Sequence, residues 1–211
     1  MAASAGPLAY LRGLALAVLA SGLLSGAPAA AEPLGRVEIG QAAPGFTAMG
    51  ADGRTHSLAD YAGKVVVLEW TSPVCPFTAV QYDSGAMQAL QRQAARHGAV
   101  WLSIDTSAPG RPGYLTPASA RARIAKIHAT VTAFLSDPDG RIGRAYGAKA
   151  TPSFFVIDPR GRLAYQGAMT ERGADNAAKG PDLVAAAIEA IDAGRPVAVP
   201  ETEPYGCAVE Y

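Results

Sequence analysis

One nearly unbroken run of apolar side chains limits the fold of this chain more than any other feature. Residues 65–70 read Val-Val-Val-Leu-Glu-Trp, with a single charged side chain among them. A strand without polar alternation is covered on both faces, as in the parallel sheets of α/β proteins. Cys75 and Pro76 follow shortly afterwards, and proline is favoured at the first position of a helix. We therefore expect a buried strand, a short loop and a helix that starts at Cys75.

Strand and helix patterns alternate along the rest of the chain. The order β-α-β-α-β-α-β-β-α predicts an α/β fold, with a central mixed sheet and helices on both faces. The predicted elements are a short hairpin within 41–60, strands at 65–70, 99–104, 131–135, 153–157 and 163–166, and helices at 79–96, 117–128, near 141–146 and at 181–193.

The first 31 residues have the composition of a leader. Arg12 is their only charged side chain, an apolar core occupies 14–24, and Ala-Pro-Ala-Ala-Ala ends at residue 31. This pattern predicts a signal peptide over 1–31. A retained anchor is the alternative, but the core is shorter than the roughly 20 residues that a span needs. We expect an exported protein, periplasmic or secreted, with no membrane span once the leader is removed.

Charge and histidine placement exclude several classes of partner. The chain has 18 basic and 18 acidic residues, which gives no reason to expect binding to nucleic acid. His56, His97 and His128 are scattered without the spacing of metal ligands. We therefore expect neither a metal nor another cofactor.

The chain contains only two cysteines, Cys75 and Cys207. Export places them in an oxidising compartment, where they could form a disulfide. Such a bond could be reversible and redox-active, or it could permanently fasten the tail at 195–211 and stabilise the fold by about 4–5 kcal/mol on the chain-entropy model. The number of cysteines does not decide between these alternatives.

The position of Cys75 favours a reactive thiol. A helix N-terminus has unpaired N–H groups and a positive dipole end, and both stabilise a thiolate. The alternative is a cysteine that is buried and inert, as many are.

Three sequence features together resemble the thioredoxin fold. They are the apolar strand ending in Glu69-Trp70, the cysteine that opens the next helix, and the distant Thr151-Pro152 before another strand. The resemblance covers roughly 39–194. It implies that the Thr151–Pro152 bond is cis and that the backbone beside it forms a groove for an extended substrate.

Thr78 stands where thioredoxins have the second cysteine of Cys-x-x-Cys. With its single helix-start cysteine, the chain is more similar to the peroxiredoxin-like branch of the alkyl hydroperoxide reductase/thiol-specific antioxidant (redoxin) family. The resemblance implies an antioxidant or redox role in which Cys75 is the nucleophile and Cys207 resolves its product. Cys207 could instead be structural or pair with another subunit.

Three neighbours of Cys75 are further candidates. Glu69 lies at the spacing at which thioredoxins bury an acid beneath the redox pair, so it could carry a proton, or it could simply end the strand and face water. Trp70 and Phe77 could form an apolar rim for substrate, or pack in the core. With Thr78, Thr151 and Pro152, they complete the predicted groove.

Our hypothesis is an exported thioredoxin-fold protein that exchanges disulfides through Cys75 and Cys207. Its partners would be a thiol or disulfide protein and an external thiol reductant. One alternative is a thiol peroxidase that reduces small hydroperoxides. The other is a binding module without enzymatic activity, in which the disulfide is structural.

Overall fold

A seven-stranded mixed sheet forms the centre of the structure, a computed structural model that describes residues 1–3, 36–170 and 181–211. Two further short strands form a separate sheet. The strands are β1 (Thr47–Gly50), β2 (Thr55–Ser57), β3 (Val66–Trp70), β4 (Val100–Asp105), β5 (Ala133–Ser136), β6 (Ala150–Thr151), β7 (Ser153–Ile157), β8 (Leu163–Gly167) and β9 (Cys207–Ala208).

The apolar run of the sequence lies at the heart of the large sheet. Its strand order is β2-β1-β5-β4-β3-β7-β8. β3, β4 and β5 are parallel, whereas β1 and β7 pair antiparallel with β5 and β3 respectively. All five residues of β3 are buried, because strands flank both of its edges and packed side chains cover both of its faces. This confirms the predicted central mixed sheet.

Helices lie on both faces of the sheet, as predicted. Val66, Leu68 and Trp70 point into one hydrophobic cluster, which includes Tyr146. Val65 and Val67 point into the other, with side chains from α2 and α5. The helices are α1 (Pro76–Asp83), α2 (Ala86–Arg96), α3 (Pro117–Lys126), α4 (Arg141–Tyr146) and α5 (Leu183–Asp192), with a 3-10 turn at Leu58–Tyr61.

The prediction of one continuous helix at 79–96 is wrong, because this part of the chain forms two helices. α1 ends at Asp83 and α2 starts at Ala86. Between them Gly85 has a φ of 80°, a left-handed conformation that glycine adopts without steric penalty. The break ends α1 at Asp83, so the helix that follows the junction at Cys75 is only eight residues long.

The small sheet was not predicted. β6 pairs antiparallel with β9, with Ala150 opposite Ala208 and Thr151 opposite Cys207. The tail therefore returns to the body of the protein as a strand.

The predicted leader lies outside the described residues, apart from residues 1–3. Contacts divide the chain into Met1–Glu32 and Pro33–Tyr211, and every element above belongs to the second unit. Within the part of the chain that the structure describes, no helix is both long and apolar enough to cross a bilayer.

We expect Leu102→Ala to lower the free energy of unfolding by about 2–5 kcal/mol, because the smaller side chain leaves a cavity in the core where β4 packs. Leu102 has 0% of its surface exposed. Val80→Ala is the control, because Val80 is 47% exposed on α1 and should change stability by less than about 0.5 kcal/mol. Urea denaturation measures both, and equal effects would contradict the predicted core position of β4.

Candidate active site

Cys75 is the residue that caps the N-terminus of α1. Its backbone is extended, with Pro76 in the first helical position, and its carbonyl accepts the first helical hydrogen bond from Ala79 N at 3.0 Å. The sequence folds this way because proline fixes a helical φ and has no N–H to leave unpaired at a helix start. The Cys75 sulfur thus lies at the positive end of the helix dipole.

Cys75 is joined to Cys207 by a disulfide within the same chain. The two residues are 132 positions apart in sequence, and their Cα atoms are 5.9 Å apart. This pairing provides the second sulfur that Thr78 does not supply. The bond is intramolecular.

Thr151 and Pro152 lie against this disulfide. The Thr151–Pro152 peptide bond is cis, as the resemblance implies. The Thr151 carbonyl oxygen is 3.0 Å from Cys75 Sγ, and Thr151 is the partner of Cys207 in the small sheet. One backbone position therefore contacts both cysteines.

Hydrogen bonds hold the tail on both sides of Cys207. Before it, Thr202 N donates to the carbonyl of Gln166 at 3.0 Å; after it, Val209 N donates to the carbonyl of Lys149, also at 3.0 Å. These bonds do not depend on the disulfide. They therefore attach the tail to the body of the protein on either side of the disulfide.

The two cysteine residues differ in exposure. Cys75 has 1% of its surface exposed, whereas Cys207 is partly exposed. A cavity of about 460 Å³ lies beside the bond, with Cys207, Trp70 and Ser72 in its wall. A thiol arriving from solvent therefore meets Cys207 first.

An ion pair joins the two segments that flank this cavity. Arg111, in the loop after β4, donates to a Glu210 carboxylate oxygen at 2.8 Å. Both side chains are more than half exposed, so the pair contributes at most about 1 kcal/mol to stability. It does, however, connect the loop to the tail just beyond Cys207.

Glu69 is fully buried and surrounded by hydrogen-bond donors. Trp101 Nε1 donates to its carboxylate at 2.8 Å, the Ser103 hydroxyl at 2.7 Å and the Tyr82 hydroxyl at 3.0 Å. Burial raises the pKa of the Glu69 carboxyl, and the three donors offset part of that shift. The same burial, together with the neighbouring carboxylate, raises the pKa of Tyr82 well above its usual value.

Polar side chains line the inner side of α1 between Glu69 and Cys75. Among the described residues, the hydrogen-bond partners of Glu69 include Tyr82 but not Cys75. Thr78 and Gln81 are both 0% exposed, and their side-chain polar atoms have no partner in the described part of the chain. Spacings of three or four residues place Cys75, Thr78 and Tyr82 along one side of the helix.

The comparison with protein families matches the AhpC/TSA family over residues 39–166. The chain belongs to this family. No curated protein matches the chain at the level of sequence.

Solved structures confirm the thioredoxin-like fold of this AhpC/TSA protein. A hypothetical protein of Sinorhizobium meliloti 1021 is 22% identical, with a TM-score of 0.72, and the match covers 84% of this chain and 96% of the other. An uncharacterised conserved protein of Geobacillus kaustophilus is 23% identical, with a TM-score of 0.71 and coverage of 82% and 92%. A Chlorobium tepidum protein, provisionally assigned as the thiol:disulfide interchange protein DsbE, is 26% identical, with a TM-score of 0.50 and coverage of 62% and 84%.

The other predicted groove residues of this AhpC/TSA protein lie at different depths. Trp70 is 0% exposed and packs on Tyr146 and Phe155, with ring centroids 5.7 Å and 5.1 Å away. Thr78 is also buried, whereas Phe77 is 37% exposed. Among these three side chains, Phe77 is the one that an incoming molecule can touch directly.

Sequence reasoning missed several residues that build the site. Ser103 interrupts an apolar strand, which could have signalled a polar partner for Glu69. Phe77 packs edge-on against Tyr205 of the tail, with ring centroids 6.3 Å apart, but no local pattern connects residues so distant in sequence. Gly206, directly before Cys207, has a φ of 146°, which the sequence analysis did not anticipate.

We expect Glu69→Gln to be tolerated and Glu69→Ala to lower the free energy of unfolding by about 3 kcal/mol or more, because alanine leaves three buried donors without an acceptor. Glutamine has the shape of protonated glutamate and keeps an acceptor oxygen. Urea denaturation at one pH measures both variants. Equal losses in the two variants would show that the donors do not depend on this side chain.

The stability difference between Glu69→Gln and the parent should also depend on pH. A raised carboxyl pKa stabilises the folded state below the unfolded pKa, and that contribution is lost as the pH rises through the folded pKa. The variant should therefore gain on the parent as the pH rises above about 4.5, by at most about 1.4 kcal/mol per pH unit. If the variant instead lost stability relative to the parent as the pH rises, the donors would outweigh burial and the pKa of Glu69 would not be raised.

Proposed function

We propose that this protein is an exported thiol–disulfide oxidoreductase that uses Cys75 and Cys207 as its redox pair. The observation that carries the proposal is the Cys75–Cys207 disulfide at the N-terminus of α1, beside Thr151. It places two sulfurs near a helix start, the Thr151 backbone and a cavity of about 460 Å³. The 26% identity to the Chlorobium tepidum protein supports the same class of reaction.

The reaction proceeds by two thiol–disulfide exchanges. In the reduced protein, the Cys75 thiolate attacks one sulfur of a partner disulfide, and the partner's other sulfur leaves as a thiolate. Cys207, as a thiolate, then attacks Cys75 Sγ and releases the partner's first sulfur. The partner gains two electrons, and the Cys75–Cys207 disulfide forms.

An external thiol regenerates the reduced form through Cys207. Because Cys75 is 1% exposed, the reductant attacks Cys207 Sγ from the cavity, and Cys75 leaves as a thiolate. The N-terminus of α1 stabilises that leaving group. A second thiol then attacks the mixed disulfide and frees Cys207. The buried cysteine thus acts on the partner, and the more exposed cysteine receives the electrons.

Glu69 supplies or accepts the proton that accompanies these steps. Burial raises the pKa of the Glu69 carboxyl, and a carboxyl with a raised pKa is better suited to proton transfer than an ordinary one. Tyr82, hydrogen-bonded to Glu69 at 3.0 Å, and the unpartnered hydroxyl of Thr78 lie along α1 between the carboxyl and Cys75. They provide polar positions through which a proton can pass.

Export is the part of the proposal that rests on sequence alone. The leader composition of residues 1–31 supports it. A disulfide between the chain's two cysteines is consistent with an oxidising compartment.

We expect the reduced Cys207→Ser variant to accumulate a mixed disulfide on Cys75 when it is mixed with a peptide that contains one internal disulfide. Without Cys207, the mixed disulfide should last about a hundredfold longer than in the parent, because attack within one chain is much faster than attack by a free thiol. Non-reducing electrophoresis and mass spectrometry measure its lifetime. Cys75→Ser is the control. Its remaining cysteine, Cys207, should form no mixed disulfide with the peptide.

Two outcomes would contradict the proposal. If a thiol reductant of the thioredoxin type fails to open the bond in the folded protein, the disulfide is structural and the protein is a binding module. If the reduced protein consumes hydrogen peroxide faster than free cysteine but does not react with the disulfide peptide, the protein is a thiol peroxidase.

A further inference from the structure

The tail that carries Cys207 occupies the position that a partner must take during disulfide exchange. Any sulfur bonded to Cys75 has to replace Cys207 Sγ, because the rest of Cys75 is enclosed. The backbone on either side of that sulfur then lies along Thr151, as Cys207 and Ala208 do now. The tail is therefore a bound segment of known register, and it shows what the groove accepts.

The residue before the sulfur has no room for a side chain. Gly206 has a φ of 146°, in the region that favours glycine. A Cβ built on Gly206 would lie 2.7 Å from the Thr151 carbonyl carbon and 3.3 Å from Pro152 N, and it would lie closer still to the Thr151 oxygen. The obstacle is backbone, so no rotation of a neighbouring side chain can relieve it.

The residue after the sulfur meets no such limit. Ala208 is exposed, and Cys207 is partly exposed. Opposite them, the two-residue strand β6 supplies backbone hydrogen-bonding groups, which recognise any extended polypeptide. The restriction is therefore local to the position occupied by Gly206.

Exposed apolar side chains near the start of α1 suit a polypeptide partner that has apolar side chains of its own. Val74 is 61% exposed, Phe77 37% and Val80 47%. Val74 lies just before α1, and Phe77 and Val80 lie within it at spacings of three residues. Tyr205 of the tail packs edge-on against Phe77. A segment that enters the groove can place a side chain on Phe77 two residues before its cysteine.

We propose that the groove selects extended polypeptide segments in which glycine directly precedes the reactive cysteine, and that the chain's own tail fills this groove in the oxidised state. The inference rests on the proposed exchange at Cys75. It adds the specificity of that exchange, because a Cβ at the preceding position collides with the Thr151 backbone. It also makes the tail a competitor of the partner, so that formation of the Cys75–Cys207 bond expels the partner from the groove.

The test uses the full-length Cys207→Ser variant, reduced, so that Cys75 is the one thiol. The probes are peptides with the sequence of residues 202–211, Thr-Glu-Pro-Tyr-Gly-Cys-Ala-Val-Glu-Tyr, whose cysteine carries thionitrobenzoate as a mixed disulfide. Cys75 attacks the peptide sulfur, a new disulfide joins Cys75 to the peptide, and thionitrobenzoate leaves as a coloured thiolate. Each rate is divided by the rate of the same peptide with free glutathione, which removes differences in intrinsic reactivity.

The decisive comparison is between two peptides that each gain one heavy atom. Replacing the glycine by alanine should slow the reaction at least about tenfold, which corresponds to 1.4 kcal/mol. Replacing the alanine after the cysteine by serine should change the rate by less than about twofold, because that position is exposed. Equal rates for the glycine and alanine peptides would overturn the proposed specificity.

A second variant shows whether tail and peptide share one groove. Adding Gly206→Ala to Cys207→Ser displaces the protein's own tail, so the original peptide should react at least about threefold faster. An unchanged rate would overturn the competition. Failure of the proposed function would give a different result. Cys75 would then react no faster than glutathione even with dithiobis-nitrobenzoate, a small disulfide without steric hindrance.

Discussion

The short pairing of Thr151 with Cys207 is the interaction on which the site depends. It is one rung of a two-residue ladder, yet it brings together cysteines 132 positions apart. The bonds at Thr202 and Val209 hold the tail on either side of that rung. Because the tail pairs through its backbone, the second sulfur lies beside the first without belonging to the same helix.

This arrangement separates tasks that a Cys-x-x-Cys motif combines. In that motif both sulfurs lie at one helix start. Here α1 contributes only Cys75, and the position of the second cysteine is taken by Thr78, which is buried against the sheet. The second sulfur instead comes from the solvent side of the groove. In the proposed reaction, access by a reductant and access by a partner therefore both depend on the segment that carries Cys207.

The interior of the protein supports the site through Glu69. A carboxyl inside a sheet would be strongly destabilising without partners. Trp101 and Ser103 from β4 and Tyr82 from α1 provide them. The same contacts connect the helix that follows Cys75 to the central strands, so the Glu69 carboxyl and the position of the helix are physically linked.

Much of the fold follows from local sequence patterns. The apolar run at 65–70 predicted the central strand, and Cys75-Pro76 predicted the helix start, because burial and proline act locally. The break at Gly85 was missed because the helical pattern continues across it. The β6–β9 ladder was also missed, since strands of two residues show no periodicity and their pairing depends on chain segments far apart. The limit on the residue before Cys207 arises only from that pairing.

The reduction potential of the Cys75–Cys207 bond tests the central claim most directly. Equilibration of the full-length protein with glutathione buffers, followed by alkylation and mass spectrometry, gives the ratio of dithiol to disulfide. If the bond is a working redox pair, its potential should lie between about −180 and −270 mV, the range of exchanging pairs. A potential below about −300 mV would identify the bond as structural and contradict the account.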